Sequence, residues 1–296
     1  MPRPPRHLDD SLIALLRVNG RSSISELARH LGIPRAVVRD RLARLIHDEH
    51  VNVTAVADPA VLGLRTLCHL AAHVHDSPQR VAHALAELND TSLVTITAGP
   101  HDLVVEVRSR DQREMFAAIG RVRALPGITH VTTMLYVDVH KSPYSSSRTR
   151  PLRTELDSID ENIVGILQED GRASFTAIGS RLGISESTAR ARVRRLLDDH
   201  VIRVTAVAKR NTVTRSLALG VGVNINGDAG PLIADLVART EVEFLATIIG
   251  AFDLLVTLSG DSLEALQHVI DDVRSSAHVT RVESWMHLTV VKESYS

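Results

Sequence analysis

The chain of 296 residues lacks the features that mark several large classes of protein. Cys68 is its only cysteine, which excludes an internal disulfide or a cysteine-rich zinc module and fits a reducing compartment. No apolar run approaches the roughly 20 residues of a membrane helix. The opening Met-Pro-Arg-Pro-Pro-Arg has no apolar segment behind it, unlike a signal peptide. We therefore expect a cytoplasmic protein without a membrane partner.

An excess of one charge is also lacking. The chain has 34 Lys and Arg against 35 Asp and Glu, for a net charge of −1. Any binding to nucleic acid must therefore depend on local basic surfaces. Hydrophobic residues make up 44% of the chain, which favours packed cores, and the length predicts several domains.

One internal repeat runs through nearly the whole sequence. Matching residues lie 151 positions apart: Gly20-Arg21 with Gly171-Arg172, Leu31-Gly32-Ile33 with Leu182-Gly183-Ile184, Thr54–Ala57 with Thr205–Ala208, and Gly99 and Asp102 with Gly250 and Asp253. The chain is thus a tandem duplication of a two-part unit. Serine, proline and arginine dominate residues 141–153 between the copies, which predicts an exposed linker.

The first part of each unit is a predicted three-helix head. Ser23-Ile24-Ser25-Glu26 forms a capping box for helix two, and Gly32 ends that helix. In helix three of the first copy, Val38, Leu42 and Leu45 share one face. In the second copy, Ser185 is the predicted N-cap, and the buried residues are Ala189, Val193 and Leu196. Two short helices joined by a tight turn predict a helix-turn-helix.

The second part of each unit alternates short strands with two helices. The order β-α-β-β-α-β predicts a ferredoxin-like module. The fold class is therefore α+β, with two winged-helix or helix-turn-helix heads and two ferredoxin-like modules in tandem. The predicted domains are a first head at 1–60, a first α/β module at 64–140, the linker at 141–153, a second head at 154–210 and a second α/β module at 214–293.

This two-part unit resembles the Lrp/AsnC (feast/famine) family of transcriptional regulators. The motifs are clearest in the second copy, in Glu169-Asp170-Gly171-Arg172, Leu182-Gly183-Ile184-Ser185 and Arg192-Val193-Arg194-Arg195-Leu196. The first copy departs from them with Pro34-Arg35-Ala36-Val37. The resemblance implies a non-enzymatic, sequence-specific regulator of transcription. Its heads bind double-stranded DNA, and its α/β modules pair and sense a small molecule, often an amino acid. It implies no cofactor.

Arginines along helix three are the candidate DNA contacts, because guanidinium groups bind phosphate or bridge guanine O6 and N7. The predicted contacts are Arg35, Arg39, Arg41 and Arg44 in the first head, with Ser185, Ser187, Thr188, Arg190, Arg192 and Arg195 in the second. Arg41 and Arg192 lie beside the buried seam, so contact with an acidic neighbour stays an alternative. Because the two faces differ, we expect an asymmetric operator, with the better-formed second head dominant.

The resemblance places effector contacts at two turns. The candidates are Gly99, His101 and Asp102 in the first copy and Gly250, Phe252 and Asp253 in the second. Hairpin geometry alone explains the same residues, since glycine supplies unusual φ angles and aspartate stabilises turns. A strand also places His69, His73 and His75 on one face. A polar face between modules explains these histidines better than a metal site, so no metal is predicted.

Two alternatives to a regulator stay open. Siroheme decarboxylases resemble the same two-part architecture, and a ligand-binding protein with a degenerate DNA-binding head would share the motifs. We expect the two copies to pair within one chain as a pseudo-dimer and to form a further homo-oligomer. Pairing between chains remains an alternative.

Overall fold

A computed structural model describes residues 7–47, 51–57, 63–142, 156–208 and 217–294. The first copy contains α1 (His7–Val18), α2 (Ile24–Leu31), α3 (Arg35–His47), β1 (Val51–Ala57), β2 (Thr66–Val74), α4 (Pro78–Ala86), β3 (Thr91–Ala98), β4 (Leu103–Ser109), α5 (Gln112–Arg123) and β5 (Ile128–Lys141). The second contains α6 (Ser158–Glu169), α7 (Phe175–Leu182), α8 (Glu186–Asp198), β6 (Ile202–Ala208), β7 (Leu217–Ile225), α9 (Gly230–Ala238), β8 (Val242–Ile249), β9 (Leu254–Gly260), α10 (Leu263–Ser275) and β10 (Val279–Glu293). The prediction of a mixed α+β fold is confirmed.

These elements form two compact units, and each unit takes segments from both copies. The helical unit contains the described residues of 7–57 and 156–208, and the α/β unit those of 63–142 and 217–294. The predicted linker starts at the last residue of β5, and 143–153 lie outside the described residues. No described helix is long and apolar enough to cross a membrane.

In the helical unit, each head packs its third helix on the seam that the spacing predicts. Val38, Leu42 and Leu45 are at most 4% exposed, and their counterparts Ala189, Val193 and Leu196 are fully buried. Both middle helices end at a glycine in the left-handed conformation, which turns the chain into the third helix.

The sequence predicts the strand that follows each head as a wing or a connector. β1 pairs antiparallel with β6 of the other copy, and Thr54 lies opposite Thr205 at the centre. A single strand leaves its backbone N–H and C=O groups without hydrogen-bond partners, and pairing of β1 with β6 supplies these partners to both strands. The two heads are therefore joined within one chain.

The α/β unit is one closed eight-stranded barrel rather than two separate sheets. Its order is β10-β3-β4-β2-β5-β8-β9-β7, so the copies join at β5–β8 and at β10–β3. Closure removes the free edges that two separate sheets would expose. Helices α4 and α5 cover the outside of the first half, and α9 and α10 that of the second. A third cluster, with members from both halves, fills the inside; it contains Ala71, Val104, Met134, Ala246, Ile248, Phe252, Leu255 and Trp285.

Candidate nucleic-acid interface and barrel interior

The third helix of the first head presents an exposed basic face. Ser23 and Glu26 form the predicted capping box of α2, which fixes the turn into α3. Arg35, Arg39 and Arg44 are exposed on α3. Arg39 has a long contact of 3.9 Å with Asp40. Arg35 and Arg44 have no hydrogen-bond or ion-pair partner among the described residues, so they are free to contact phosphate.

The third helix of the second head is capped as predicted. Ser185 Oγ accepts a hydrogen bond from the Thr188 amide at 3.1 Å. The same hydroxyl lies 2.8 Å from both Ser187 Oγ and Thr188 Oγ1. Ser185 therefore stabilises the helix start, while Ser187 and Thr188 are exposed in the first turn of α8.

Arg190 on this helix is held by its own neighbours. Its guanidinium donates to Glu186 Oε1 at 2.6 Å and lies 5.1 Å from the ring centroid of Phe175. Glu186 also accepts from Thr176 Oγ1 at 2.9 Å. These hydrogen bonds lower the pKa of Glu186, with that from Arg190 the larger cause. Glu186 occupies the position that corresponds to Arg35 in the first head, so the two helices carry opposite charges there.

Three of the candidate arginines stabilise the heads from within. Arg41 forms a two-pronged ion pair with Asp9 of α1. At the equivalent position Arg192 binds Asp160 of α6 at 2.9 Å, and Arg195 binds the same carboxylate. Asp160 is 1% exposed. Contact with an acidic neighbour, the alternative for Arg41 and Arg192, is what the structure shows.

Two arginines that sequence reasoning used only as repeat markers hold the heads together. Arg21 donates to the carbonyl oxygens of Gly171 and Ala173 at 2.7 and 2.9 Å. Arg172 returns the contact to Gly20 and to Ser22, the latter at 3.0 Å. This reciprocal pattern, together with the β1–β6 ladder, stabilises one arrangement of the two third helices. The Gly-Arg pair repeated in each copy was the sequence signal from which this contact could have been predicted.

The two effector turns show the hairpin chemistry that was the alternative explanation. Gly99 and Gly250 have φ values of +143° and +150°. The Asp102 carboxylate accepts from the Val74 amide at 2.9 Å, and Asp253 accepts from the Ile225 amide at 2.8 Å. Both aspartates therefore tie their turn to the neighbouring strand.

The middle residues of these turns enter the barrel interior. His101 and Phe252 are 7% and 5% exposed. The His101 ring stands edge-on to the Trp285 ring, with 4.8 Å between the ring centroids. The Phe252 ring stacks on the Trp285 ring, with 6.3 Å between the centroids. Sequence reasoning missed Trp285, although it is the only tryptophan of the chain.

The three histidines predicted on one strand face lie in two different environments. His69 is buried inside and lies 3.5 Å from the Tyr136 hydroxyl, whereas His73 and His75 are exposed near its end. Burial lowers the pKa of His69 to about 3 and that of His101 to about 4. Both imidazoles are therefore neutral near pH 7. In the described ranges no group of three or more His, Cys, Asp or Glu could hold a metal.

Two helix-turn-helix heads joined by the β1–β6 ladder place the protein in the helix-turn-helix class of DNA-binding proteins. Comparison with known proteins identifies the family. The AsnC-type helix-turn-helix domain matches residues 7–46 and 156–197, and the Lrp/AsnC ligand binding domain matches 67–145. An uncharacterised HTH-type transcriptional regulator of Pyrococcus abyssi is 31% identical over 150 residues, which cover 47% of this chain and 94% of the relative. An HTH-type transcriptional regulator of Mycobacterium tuberculosis is 33% identical over 137 residues, 45% of this chain and 93% of the relative. The chain belongs to the Lrp/AsnC family of HTH-type transcriptional regulators.

Solved structures of one protein are similar over almost the whole chain. One of them is the siroheme decarboxylase NirDL in complex with an iron-uroporphyrin III analogue, with a TM-score of 0.63, 16% identity and coverage of 98% of this chain and 95% of that one. At this identity the similarity concerns the fold alone. Each regulator above matches under half of this chain, as a duplication requires.

Proposed function

We propose that this protein is a cytoplasmic, sequence-specific DNA-binding regulator of transcription whose two heads bind one operator from a single chain. The observation that carries the proposal is the reciprocal pairing of two helix-turn-helix heads, each with an exposed basic third helix. Phosphate contacts position such a helix, and base contacts select the sequence. Double-stranded DNA is the partner, and no catalytic step is required.

The DNA-contacting set is narrower than the sequence indicates. We assign direct contacts to Arg35, Arg39 and Arg44 in the first head and to Ser187, Thr188 and Arg190 in the second, where Arg194 is also exposed without a described partner. Arg41, Arg192 and Arg195 support their helices through acidic partners, and Ser185 caps α8. Removal of the second group should therefore weaken DNA binding through loss of head stability.

The operator should contain two different half-sites. Identical heads related by two-fold symmetry select a palindrome, with half-sites about one or two helical turns apart. Here Arg35-Ala36 and Glu186-Ser187 occupy equivalent positions, so the heads read different bases.

We further propose that the barrel consists of two ferredoxin-like effector modules, at 64–140 and 214–293, fused in sequence to heads at 1–60 and 154–210. Each half contributes the order β-α-β-β-α-β to the barrel. A small molecule bound there would modulate DNA affinity, and an amino acid suits the family. Pairing within the chain leaves homo-oligomerisation as a further step, which light scattering at several concentrations would measure.

Genomic DNA capture with the purified full chain tests the function. Fragments should be retained in low salt, and a footprint should show two unequal protected half-sites. Arg39→Ala with Arg44→Ala should reduce the slope of log affinity against log salt by about 2, one for each lost phosphate contact. The control is Arg80→Ala on the exposed α4 of the barrel, which should leave the slope unchanged. A perfect palindrome with equal protection would contradict the asymmetric operator, and absence of retention would overturn the function.

The enzymatic alternative is favoured by one observation, the fold similarity to a siroheme decarboxylase. Its test is independent of DNA. A tetrapyrrole absorbs strongly in the visible range, so protein purified from its native host would be coloured if it bound one. We expect no such absorbance, and a stoichiometric band would favour the enzyme.

A further inference from the structure

The interior of the barrel differs chemically between its two halves. Inward-facing His69, His101, Glu106 and Arg108 of the first copy correspond to Gly220, Phe252, Thr257 and Ser259 of the second. The second half is filled by rings, since a Cβ atom at Gly220 would lie 2.1 Å from the Trp285 ring. The first half is instead polar. Duplication alone would produce two equal halves, so this difference requires its own explanation.

Four buried nitrogen atoms, three from this polar half and one from Trp285 of the other half, have no hydrogen-bond partner among the described residues. They are Nε2 of His69, Nε2 of His101, Nε of Arg108 and Nε1 of Trp285. His69, His101 and Trp285 are only 4%, 7% and 2% exposed. An unsatisfied buried polar group opposes folding, and such groups are rare in native proteins. Four of them in one interior indicate an absent partner.

The four groups belong to one neighbourhood. The His69 and His101 rings lie 6.1 and 4.8 Å from Trp285, measured between centroids. The Tyr136 hydroxyl links His69 to Glu106, donating to Glu106 Oε1 at 2.8 Å. Burial raises the pKa of Tyr136 well above its usual value, and the charge of Arg108 opposes that shift. Arg108 is therefore within electrostatic reach of the same cluster.

The chemistry of these groups defines the missing partner. Trp285 Nε1–H and Arg108 Nε–H can only donate, and the neutral His101 imidazole can donate from Nε2. The single proton of the neutral His69 ring lies on Nδ1, towards the Tyr136 hydroxyl, so its Nε2 is an acceptor at the edge of this group of three donors. A carboxylate supplies two acceptor oxygens and a negative charge that the half-buried Arg108 compensates. Phe252 and Phe244 add apolar ring surface to the same interior. We propose that the barrel interior binds a small carboxylate with an aromatic or apolar body, which would be the effector of the proposed regulator.

Trp285 makes the site directly observable, because it is the only tryptophan of the chain. The full chain is titrated with phenylacetate, with L-phenylalanine and with the neutral isostere phenylacetamide, while tryptophan fluorescence is recorded. A saturable change is expected with at least one carboxylate and not with the amide. A response to phenylalanine alone would show that an ammonium group is also recognised. No saturable change with either carboxylate, or an equal change with the amide, would overturn the proposal.

Arg108→Met tests the charge while keeping an unbranched stem, and Ser259→Ala is the matched control at the equivalent position. We expect the half-saturation concentration to rise about tenfold or more in Arg108→Met, through loss of a charge-assisted hydrogen bond, and to stay unchanged in Ser259→Ala. Circular dichroism checks that each variant folds. If Arg108→Met does not fold, Arg108→Lys, which keeps the charge but loses Nε–H, should still raise the half-saturation concentration. An unchanged value in whichever variant folds would overturn the site.

Binding of DNA without ligand separates this inference from the proposed function. Retention of DNA without a fluorescence response would remove the interior site and leave the regulator. A fluorescence response without DNA retention would support the interior site and overturn the proposed regulator.

Discussion

The two heads have the same framework and different reading surfaces. In each head an arginine of the third helix binds an aspartate of the first helix: Arg41 with Asp9, and Arg192 with Asp160. On the exposed face, Arg35 of the first head corresponds to Glu186 of the second. Arg39 is consequently exposed to solvent, whereas Arg190 is held by Glu186. Internal contacts preserve the fold of both copies, so the exposed positions can differ without loss of stability.

The halves of the barrel differ in the same manner. Their outer cores both pack helices on aliphatic strands, while their inner faces carry histidines in one half and glycine with aromatic rings in the other. In both units, therefore, the surface that would meet a partner is where the copies diverge.

The largest effect on the heads should come from the aspartates that bind their third-helix arginines. Asp160→Ala should lower the free energy of unfolding of the helical unit by about 3 kcal/mol, because it leaves Arg195 without its described partner and leaves Arg192 with Asp157 only. Asp9→Ala should cost less, roughly 2 kcal/mol, because Asp9 is only half-buried and, among the described residues, accepts from Arg41 alone. Urea denaturation followed by helical circular dichroism measures both. Equal losses would show that the framework pairs are equivalent.

Acid should weaken the barrel through its polar half. Because burial lowers the pKa of His69 to about 3, the folded barrel keeps this ring neutral while the unfolded chain gains a proton below pH 6.5. Stability is therefore lost as pH falls from 6.5 towards 3, by up to about 1.4 kcal/mol per pH unit. His69→Gln removes the contribution of His69 and leaves that of His101, whose pKa burial lowers to about 4, so the variant should lose less stability on acidification. Denaturation midpoints at pH 6.5 and 5 that fall equally in both proteins would refute it.

A charge exchange between the heads tests their reading faces. Arg35→Glu should weaken DNA binding about tenfold, since it removes a phosphate contact and adds a carboxylate that engages Arg39. Glu186→Arg should strengthen binding by releasing Arg190 for phosphate. Affinities at fixed salt, with each half-site mutated in turn, assign the effects to the heads. Weaker DNA binding by Glu186→Arg would contradict this prediction and indicate that Glu186 contacts a base.

The smallest expected effect concerns the start of the third helix. Ser185→Ala should destabilise α8 by about 1 kcal/mol through loss of its cap. Pro34 stands at the equivalent position without a hydroxyl, so Pro34→Ser should stabilise α3 by a smaller amount. Amide exchange in the two helices measures the change. Slower exchange of α3 in Pro34→Ala as well as in Pro34→Ser would assign the gain to the lost ring rather than to the cap.

The sequence predicted the third helices and their buried residues well, because helical spacing and caps depend on neighbours three or four positions away. It left Arg41 open between phosphate and an acidic neighbour, since only the packing of α3 on α1 brings Asp9 to this side chain. For Asp102 it offered both effector contact and turn geometry, and the structure shows the carboxylate accepting from the Val74 amide.

The sequence alone determined the duplication, the kind and order of the elements and the family motifs, all of which are local or repeat at one constant offset. Tertiary structure decided that β1 pairs with β6, that the eight strands close into one barrel, and that the rings of His69, His101 and Trp285 meet inside it. Some of these contacts join residues 200 or more positions apart in the sequence. They follow from which strands satisfy each other's backbone groups, and no local pattern specifies that choice.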